Sequence, residues 1–350
     1  MPKVVPATRR QLTLLIAAVG IAAAVLAAAL IPVPYVILSP GPTLNTLSAQ
    51  PGGKGLIQIS GHHTYPTNGH LNLVTVAYRG GPADSLNLFT ALQGWLTPHQ
   101  AVVPQEELFG TNQTQQQVTQ QDTQQMVGSQ QLAQAAALCQ LGIKFDTMDK
   151  VNYIQAGMPA AGVLHKGDVI TAVDGKAVTC KTPVGTLIKA HPPGAAVVLT
   201  VSRKGVTHTF RLKTANVSGN AVVGIRVLET YRFPFQVKIS VGDIGGPSAG
   251  LMFALGIIDK LTPGSLTDGR FIAGTGEISA NGAVSPIGGI QQKMAGARAA
   301  GATVFLTPAG NCPNTAGAVP QGLRLVKVST LAGAVRALKA LAAGGSVPSC

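Results

Sequence analysis

Phe235-Gln236-Val237-Lys238-Ile239-Ser240-Val241-Gly242-Asp243-Ile244-Gly245-Gly246-Pro247-Ser248-Ala249-Gly250-Leu251-Met252-Phe253-Ala254-Leu255-Gly256-Ile257-Ile258 is the stretch on which the reading of this chain turns. An apolar strand over 235–241 gives way to a glycine-rich turn, and an almost wholly apolar helix over 249–258 opens directly after Ser248. At such a junction the backbone N–H groups of the first helical turn point outward unpaired, a geometry suited to an oxyanion. The plain alternative for Ser248 is a helix N-cap, a role serine fills well.

Gly246-Pro247-Ser248-Ala249-Gly250 also satisfies G-x-S-x-G, the nucleophile elbow of α/β-hydrolases. Those enzymes place the catalytic histidine after the serine, yet His62, His63, His70, His99, His165, His191 and His208 all precede Ser248. A hydrolase triad is thereby set aside, and a nucleophilic Ser248 needs a lysine as its base. Lys260, Lys293, Lys327 and Lys339 lie downstream. Lys293 stands out because it follows Pro286-Ile287-Gly288-Gly289-Ile290 at the start of a small-residue helix over 291–300. Desolvation and the positive end of that helix both favour the neutral amine that a general base requires. A solvated surface lysine is the competing reading. The chain has no HExxH, so zinc proteolysis is disfavoured, and His62-His63 reads as an exposed turn before Pro66.

Upstream, Lys3, Arg9 and Arg10 precede an apolar run over 12–31, whose twenty residues rise about 30 Å as a helix, the thickness of a hydrocarbon core. Pro32 and Pro34 end it. Basic residues before the run, and none after it until Lys54, place the N-terminus in the cytoplasm and the rest outside. A cleaved signal peptide is the alternative, with an apolar region normally shorter than this one. Four cysteines, Cys139, Cys180, Cys312 and Cys350, without any CxxC pair suit an oxidising compartment. The most local pairing joins Cys139 to Cys180 and Cys312 to Cys350, each within one domain; free buried thiols remain the alternative.

Between anchor and site, apolar or alternating runs at 56–59 and 71–78 read as strands, and 85–95 has helical spacing. A Gln-rich stretch over 113–134 follows. Met126, Leu132, Ala133, Ala136 and Ala137 share a face, which predicts an amphipathic helix in its second half, with no chemistry implied by the glutamines. From 163 to 175 a turn, an alternating strand and an Asp174-Gly175 hairpin turn succeed one another, followed by strands at 196–202 and 207–212. Pro159-Ala160-Ala161-Gly162-Val163-Leu164, Gly167-Asp168-Val169-Ile170 and Val173-Asp174-Gly175 resemble the core of a bacterial PDZ domain. The resemblance implies recognition of an extended peptide at a sheet edge, with a backbone loop for its C-terminal carboxylate. Leu141-Gly142-Ile143-Lys144-Phe145 is similar to that loop. A PDZ fold kept only as a spacer is the alternative.

Gly246-Pro247-Ser248-Ala249-Gly250, Thr275-Gly276-Glu277-Ile278-Ser279 and 282–293, ending Gly288-Gly289-Ile290-Gln291-Gln292-Lys293, resemble the proteolytic domain of the Lon protease family in order and spacing. The likeness runs over about 222–341. It implies a Ser-Lys dyad with Ser248 as nucleophile, Lys293 as general base and Thr275 orienting the lysine. Two departures stand out. Lon proteases commonly carry an acid three residues before the serine, where this chain has Gly245, the nearest acid being Asp243. No G-x-x-x-x-G-K-[ST] phosphate loop occurs, so ATP-independent action is expected.

The expected architecture is α+β: a tail and transmembrane anchor over 1–34, an α+β segment over 35–140 that completes the protease domain, a PDZ domain over 141–216, and a Lon-type proteolytic domain over 217–345. The resemblance implies a single-pass protein of the cell membrane with its catalytic part outside, cutting unfolded or exported proteins and peptides without metal or cofactor. The rival readings are a membrane-tethered PDZ adaptor and a chaperone-like quality-control factor that cuts slowly. An oligomer is left open. Charged residues are 11% of the 350, under half the usual share, and aromatics 4%. The net charge of +13 is not gathered into a basic helix or a Lys/Arg–aromatic run, so nucleic acid is not expected as a partner.

Overall fold

The computed structural model describes residues 9–48, 55–82, 84–110 and 113–350. Lys3 and Lys54, used above for topology, lie outside these residues. Helix α1 (Arg9–Leu30) contains no buried residue, and its mean hydropathy of 2.5 over an 18-residue window makes it long and apolar enough to cross a membrane. Proline at 32 and 34 stops it, and the chain passes through β1 (Pro32–Val33) into β2 (Tyr35–Asn45).

Next come β3 (Ile57–Ser60), β4 (His70–Gly80), β5 (Leu86–Asn87), α2 (Leu88–Leu96), β6 (Ala101–Pro104), the short α3 (Gln105–Leu108) and the long α4 (Gln115–Leu141). The Gln-rich stretch is helical from Gln115 onward, beyond the second half that its apolar spacing predicts. Thr114 and Gln117 close a capping box at its start, and Gly142 at φ 72° ends it. Capping thus starts the helix where hydrophobic periodicity is weak.

The middle of the chain forms β7 (Asp146–Ile154), β8 (Val169–Val173), β9 (Lys176–Ala177), α5 (Val184–Lys189), β10 (Ala196–Arg203), β11 (Val206–Lys213), β12 (Ala215–Val217), β13 (Asn220–Val222) and β14 (Ile225–Arg232). Asp174 (φ 48°) and Gly175 (φ 74°) make the two-residue turn between β8 and β9, both in the left-handed region such a hairpin requires. Val151, Ile170, Val173, Val197, Leu199 and Val201 fill one small core. Its sheet runs β11-β10-β8-β7-β14, so β14 pairs antiparallel with the whole of β7, from Ile225 opposite Ile154 to Arg232 opposite Asp146.

The remainder holds β15 (Gln236–Ile239), α6 (Gly250–Leu261), β16 (Phe271–Gly274), β17 (Glu277–Ile278), β18 (Val284–Ser285), α7 (Ile290–Ala299), β19 (Val304–Pro308), β20 (Arg324–Val328) and α8 (Leu331–Ala342). A six-stranded sheet in the order β20-β19-β16-β4-β2-β6 joins strands from both ends of the sequence. Its β4, β16, β19 and β20 are parallel, and β2 is antiparallel to both neighbours. Successive strand residues serve opposite faces. Val304 and Leu306 enter the core shared with α4, α6 and α8, while Phe305 enters the core under α7. From Gly250 to Ile258 helix α6 is apolar on every side because it is covered by the sheet, α4 and α8; Asp259 and Lys260 follow in its last turn. The strand before Ser248, β15, pairs with β3 in a separate two-stranded sheet.

The disulfides are Cys139–Cys180 and Cys312–Cys350. These are the most local pairs, as the sequence leads one to expect. Cys139 sits near the end of α4, which packs on α6, and Cys180 lies in the loop before α5, so this bond ties the small β unit to the large core. Sequence spacing alone does not reveal that α4 belongs to the larger unit.

Candidate active site

Two glycines and one long helix set the backbone around Ser248. A Cβ at Gly245 would stand 2.5 Å from the Asp122 Cβ, so only glycine lets the turn approach α4 this closely. That approach is fixed by polar contacts. Gly246 N–H donates to the Asp122 carbonyl (3.1 Å), and Ser129 Oγ donates to the Pro247 carbonyl (2.9 Å). Ser248 is then held from the opposite side: its carbonyl accepts from Gly276 N–H (2.8 Å) and from Thr275 Oγ1 (2.9 Å). Helix α6 begins two residues later, and among the described residues the amides of Ser248 and Ala249 have no protein acceptor.

Lys293 arrives from the other face of the sheet. Gly289, at φ 65°, opens α7 and approaches Val76 so closely that a Cβ would meet Val76 Cγ2 at 2.6 Å. The small residues of α7 let the helix lie against β2 and β4, which turns Lys293 inward at 4% exposure. Its Nζ donates to Ser248 Oγ at 2.8 Å and to Thr275 Oγ1 at 3.2 Å. Burial lowers the Lys293 pKa to about 8, and among the described residues no carboxylate pairs with it to reverse the effect. The structure thus brings Ser248, Thr275 and Lys293, from three separate segments, into one hydrogen-bonded group.

Ser248 and Lys293 line a cleft of about 1160 Å³, with Thr275 buried behind them. Most of its walls are absent from the sequence reading above. Val74, Thr75, Val76 and Tyr78 of β4 contribute, as do Thr119, Asp122, Met126 and Gln130 of α4. The α4 residues recur at helical spacing, so their shared face is visible in the sequence, but its partner is not. Gln115 and Gln130 also line the cleft, so the glutamines are not all remote from the site. Asp243 lines it too, and burial raises the pKa of Asp122. Asp122 fills the space beside Gly245 where the chain itself offers no side chain.

The loop 141–145 lies elsewhere. Leu141 closes α4, and Gly142, Ile143, Lys144 and Phe145 line a second cavity of about 710 Å³ with 178–181 and 232–234. The strand that follows this loop, β7, has one edge filled by the chain's own β14 and pairs with β8 at Asp149 and Lys150 on the other.

Residues 236–338 match the model of the Lon protease (S16) C-terminal proteolytic domain, and residues 139–214 match that of the PDZ domain. The chain is 32% identical over 151 residues to Lon protease 2 of Herpetosiphon aurantiacus, covering 41% of this chain and 16% of that protein. It is 36% identical over 82 residues to Lon protease 1 of Bacillus subtilis, covering 23% and 10%. The chain therefore spans 16% or less of the length of these curated relatives. A solved PDZ domain, that of the SdrC-like protein of Listeria monocytogenes, is 26% identical, covers 23% of this chain and 86% of that one, and superposes with a TM-score of 0.22. The polypeptide that buries Lys293 against Ser248 is thus similar over 236–338 to the Lon protease (S16) C-terminal proteolytic domain and over 139–214 to a PDZ domain.

Proposed function

We propose that this protein is a membrane-anchored, ATP-independent endopeptidase that works through a Ser248–Lys293 dyad. The observation that carries the reading is the 2.8 Å contact between a buried amine of lowered pKa and the hydroxyl at a strand–helix junction. Neutral Lys293 takes the Ser248 proton as Oγ attacks the scissile carbonyl. The amides of Ser248 and Ala249 hold the resulting oxyanion. Collapse of the tetrahedral intermediate expels the amine, which takes the proton back from Lys293, and leaves an acyl-enzyme. Water, deprotonated by Lys293, then releases the acid and restores the serine. Thr275 is a positioning residue, accepting from the amine while donating to the Ser248 carbonyl.

Independence from ATP is supported by the lack of any phosphate-loop motif in the 350 residues. The anchor reading is supported by the length and hydropathy of α1, with Arg9 and Arg10 at its start favouring a cytoplasmic N-terminus and an external catalytic part. Two disulfides suit that side of the membrane. The shared six-stranded sheet supports a single proteolytic unit into which the PDZ domain is inserted. Lys144, Lys181 and Arg232 around the cavity at 142–147 suit a carboxylate-bearing peptide, and exported or unfolded polypeptides are the proposed substrates. Mass spectrometry of peptides released from a denatured protein tests the reading. The full chain in detergent should release them at pH 8, and Ser248→Ala and Lys293→Ala should not; retained release in either variant overturns it.

A further inference from the structure

Helix α2, Leu88-Phe89-Thr90-Ala91-Leu92-Gln93-Gly94-Trp95-Leu96, contains no charged residue. One side is seated in the fold: Ala91 and Gly94 are buried, and a Cβ on Gly94 would meet Ile37 of β2 and Val102 of β6 at 3.0 Å. The other side is bare. Leu88 (41% exposed), Phe89 (59%), Leu92 (43%), Trp95 (59%) and Leu96 (86%) fall within about 120° of the helix circumference at 3.6 residues per turn. A contiguous apolar face of this kind marks a surface that meets another apolar phase.

Its position identifies that phase. Strand β5 leads directly into α2 and pairs with β1, the strand that directly follows α1, with Pro32 opposite Asn87 and Val33 opposite Leu86. Helix α1 also packs against α2. The bare face therefore begins where the apolar helix ends. Tyr35 and Trp95 meet edge to face beside it, their ring centroids 6.3 Å apart. Amphipathic rings of this type concentrate at the boundary of headgroups and acyl chains.

We propose that α2 lies flat in the outer boundary of the bilayer that α1 crosses, burying Leu88, Phe89, Leu92, Trp95 and Leu96 among lipid. The proposal rests on the anchor reading of α1. A neutral, strongly one-sided helix binds such a boundary through its apolar area, without needing anionic lipid. Leu38, three residues beyond Tyr35 on β2, lines the catalytic cleft, so docking α2 holds that cleft about 10 Å from the lipid surface.

Trp95 is the only tryptophan of the chain, which makes it a reporter without further engineering. The full chain is reconstituted into phosphatidylcholine vesicles, plain or brominated either near the headgroup or near the chain ends. Co-flotation is measured in the same samples. The expected result is co-flotation with about half of the emission lost to the shallow bromines, less to the deep ones, and shielding from acrylamide. Leu92→Lys should still co-float through α1 while losing most of the bromine quenching. Co-flotation with Trp95 unquenched and open to acrylamide overturns the surface and leaves the anchor standing. Trp95 shielded from acrylamide yet untouched by bromine also overturns it, because a second copy of the chain then covers the face. Failure to co-float overturns the anchor reading and this surface together.

Discussion

Gly245 faces Asp122 so closely that a Cβ there would stand 2.5 Å from the Asp122 Cβ. The contact joins the turn before Ser248 to a Gln-rich helix more than a hundred residues upstream, and the Gly246–Asp122 hydrogen bond beside it keeps the two in register. Gly245→Ala must push the turn off α4, which displaces Ser248 from Lys293. The expected loss is roughly 10²-fold in kcat/KM, in keeping with the cost of misplacing a catalytic group by about 1 Å. Asp122→Gly in the same chain should restore activity, whereas Asp122→Ala should not, because the clash is with the Cβ. Peptide hydrolysis by the single and double variants checks this.

The buried amine sets the pH dependence. With the Lys293 pKa lowered to about 8, roughly a tenth of the amines are neutral at pH 7, so kcat/KM should rise about tenfold per unit below 8 and level off above it. Stability follows the same group with the opposite cost. The folded protein holds this proton less tightly than the unfolded chain, so the penalty is fully present below pH 8 and fades as pH rises towards the ordinary lysine value. Lys293→Met should therefore abolish turnover yet raise stability at pH 7 by about 2 kcal/mol, an effect shrinking at pH 10. Denaturant unfolding at the two pH values measures it.

Thr275 is 1% exposed and links the lysine to the serine backbone. Thr275→Ser keeps both hydrogen bonds and should remain close to wild type. Thr275→Val removes them with little change in volume, and kcat should fall roughly 10²-fold with KM nearly unchanged. A variant that merely unfolded would instead lose cooperative melting, so thermal denaturation accompanies the kinetics.

The Cys139–Cys180 bond closes a loop with a sequence separation of 41 between the end of α4 and the small β unit. Replacing both cysteines by serine should cost about 4 kcal/mol of stability in the chain-entropy account. Calorimetry of this double variant, beside the equivalent Cys312/Cys350 pair, measures the loss.

Local chemistry was readable in the sequence wherever it decides local structure. Asp174-Gly175 demands a hairpin turn, the apolar run after Ser248 demands a covered helix, and the order of histidines and serine leaves only lysines as bases. Long-range choices were not readable. Nothing in His70 to Leu73 says that this end of the strand will stand beside 271–274, because an alternating strand fits many sheets equally. The glutamines of α4 hid the first half of a helix whose start depends on a capping box and not on apolar spacing. The same obscurity hid Asp122.

The claim at the centre of this account is that Lys293 activates Ser248 for acyl transfer. Its most direct measurement mixes the full chain with an activated peptide ester, quenches in acid and locates the acyl group by mass spectrometry across a pH series. The account predicts an adduct on the peptide containing Ser248, formed with an apparent pKa of about 8 and absent from Lys293→Ala. An adduct on another residue, or one on Ser248 that forms equally fast in Lys293→Ala, would contradict it.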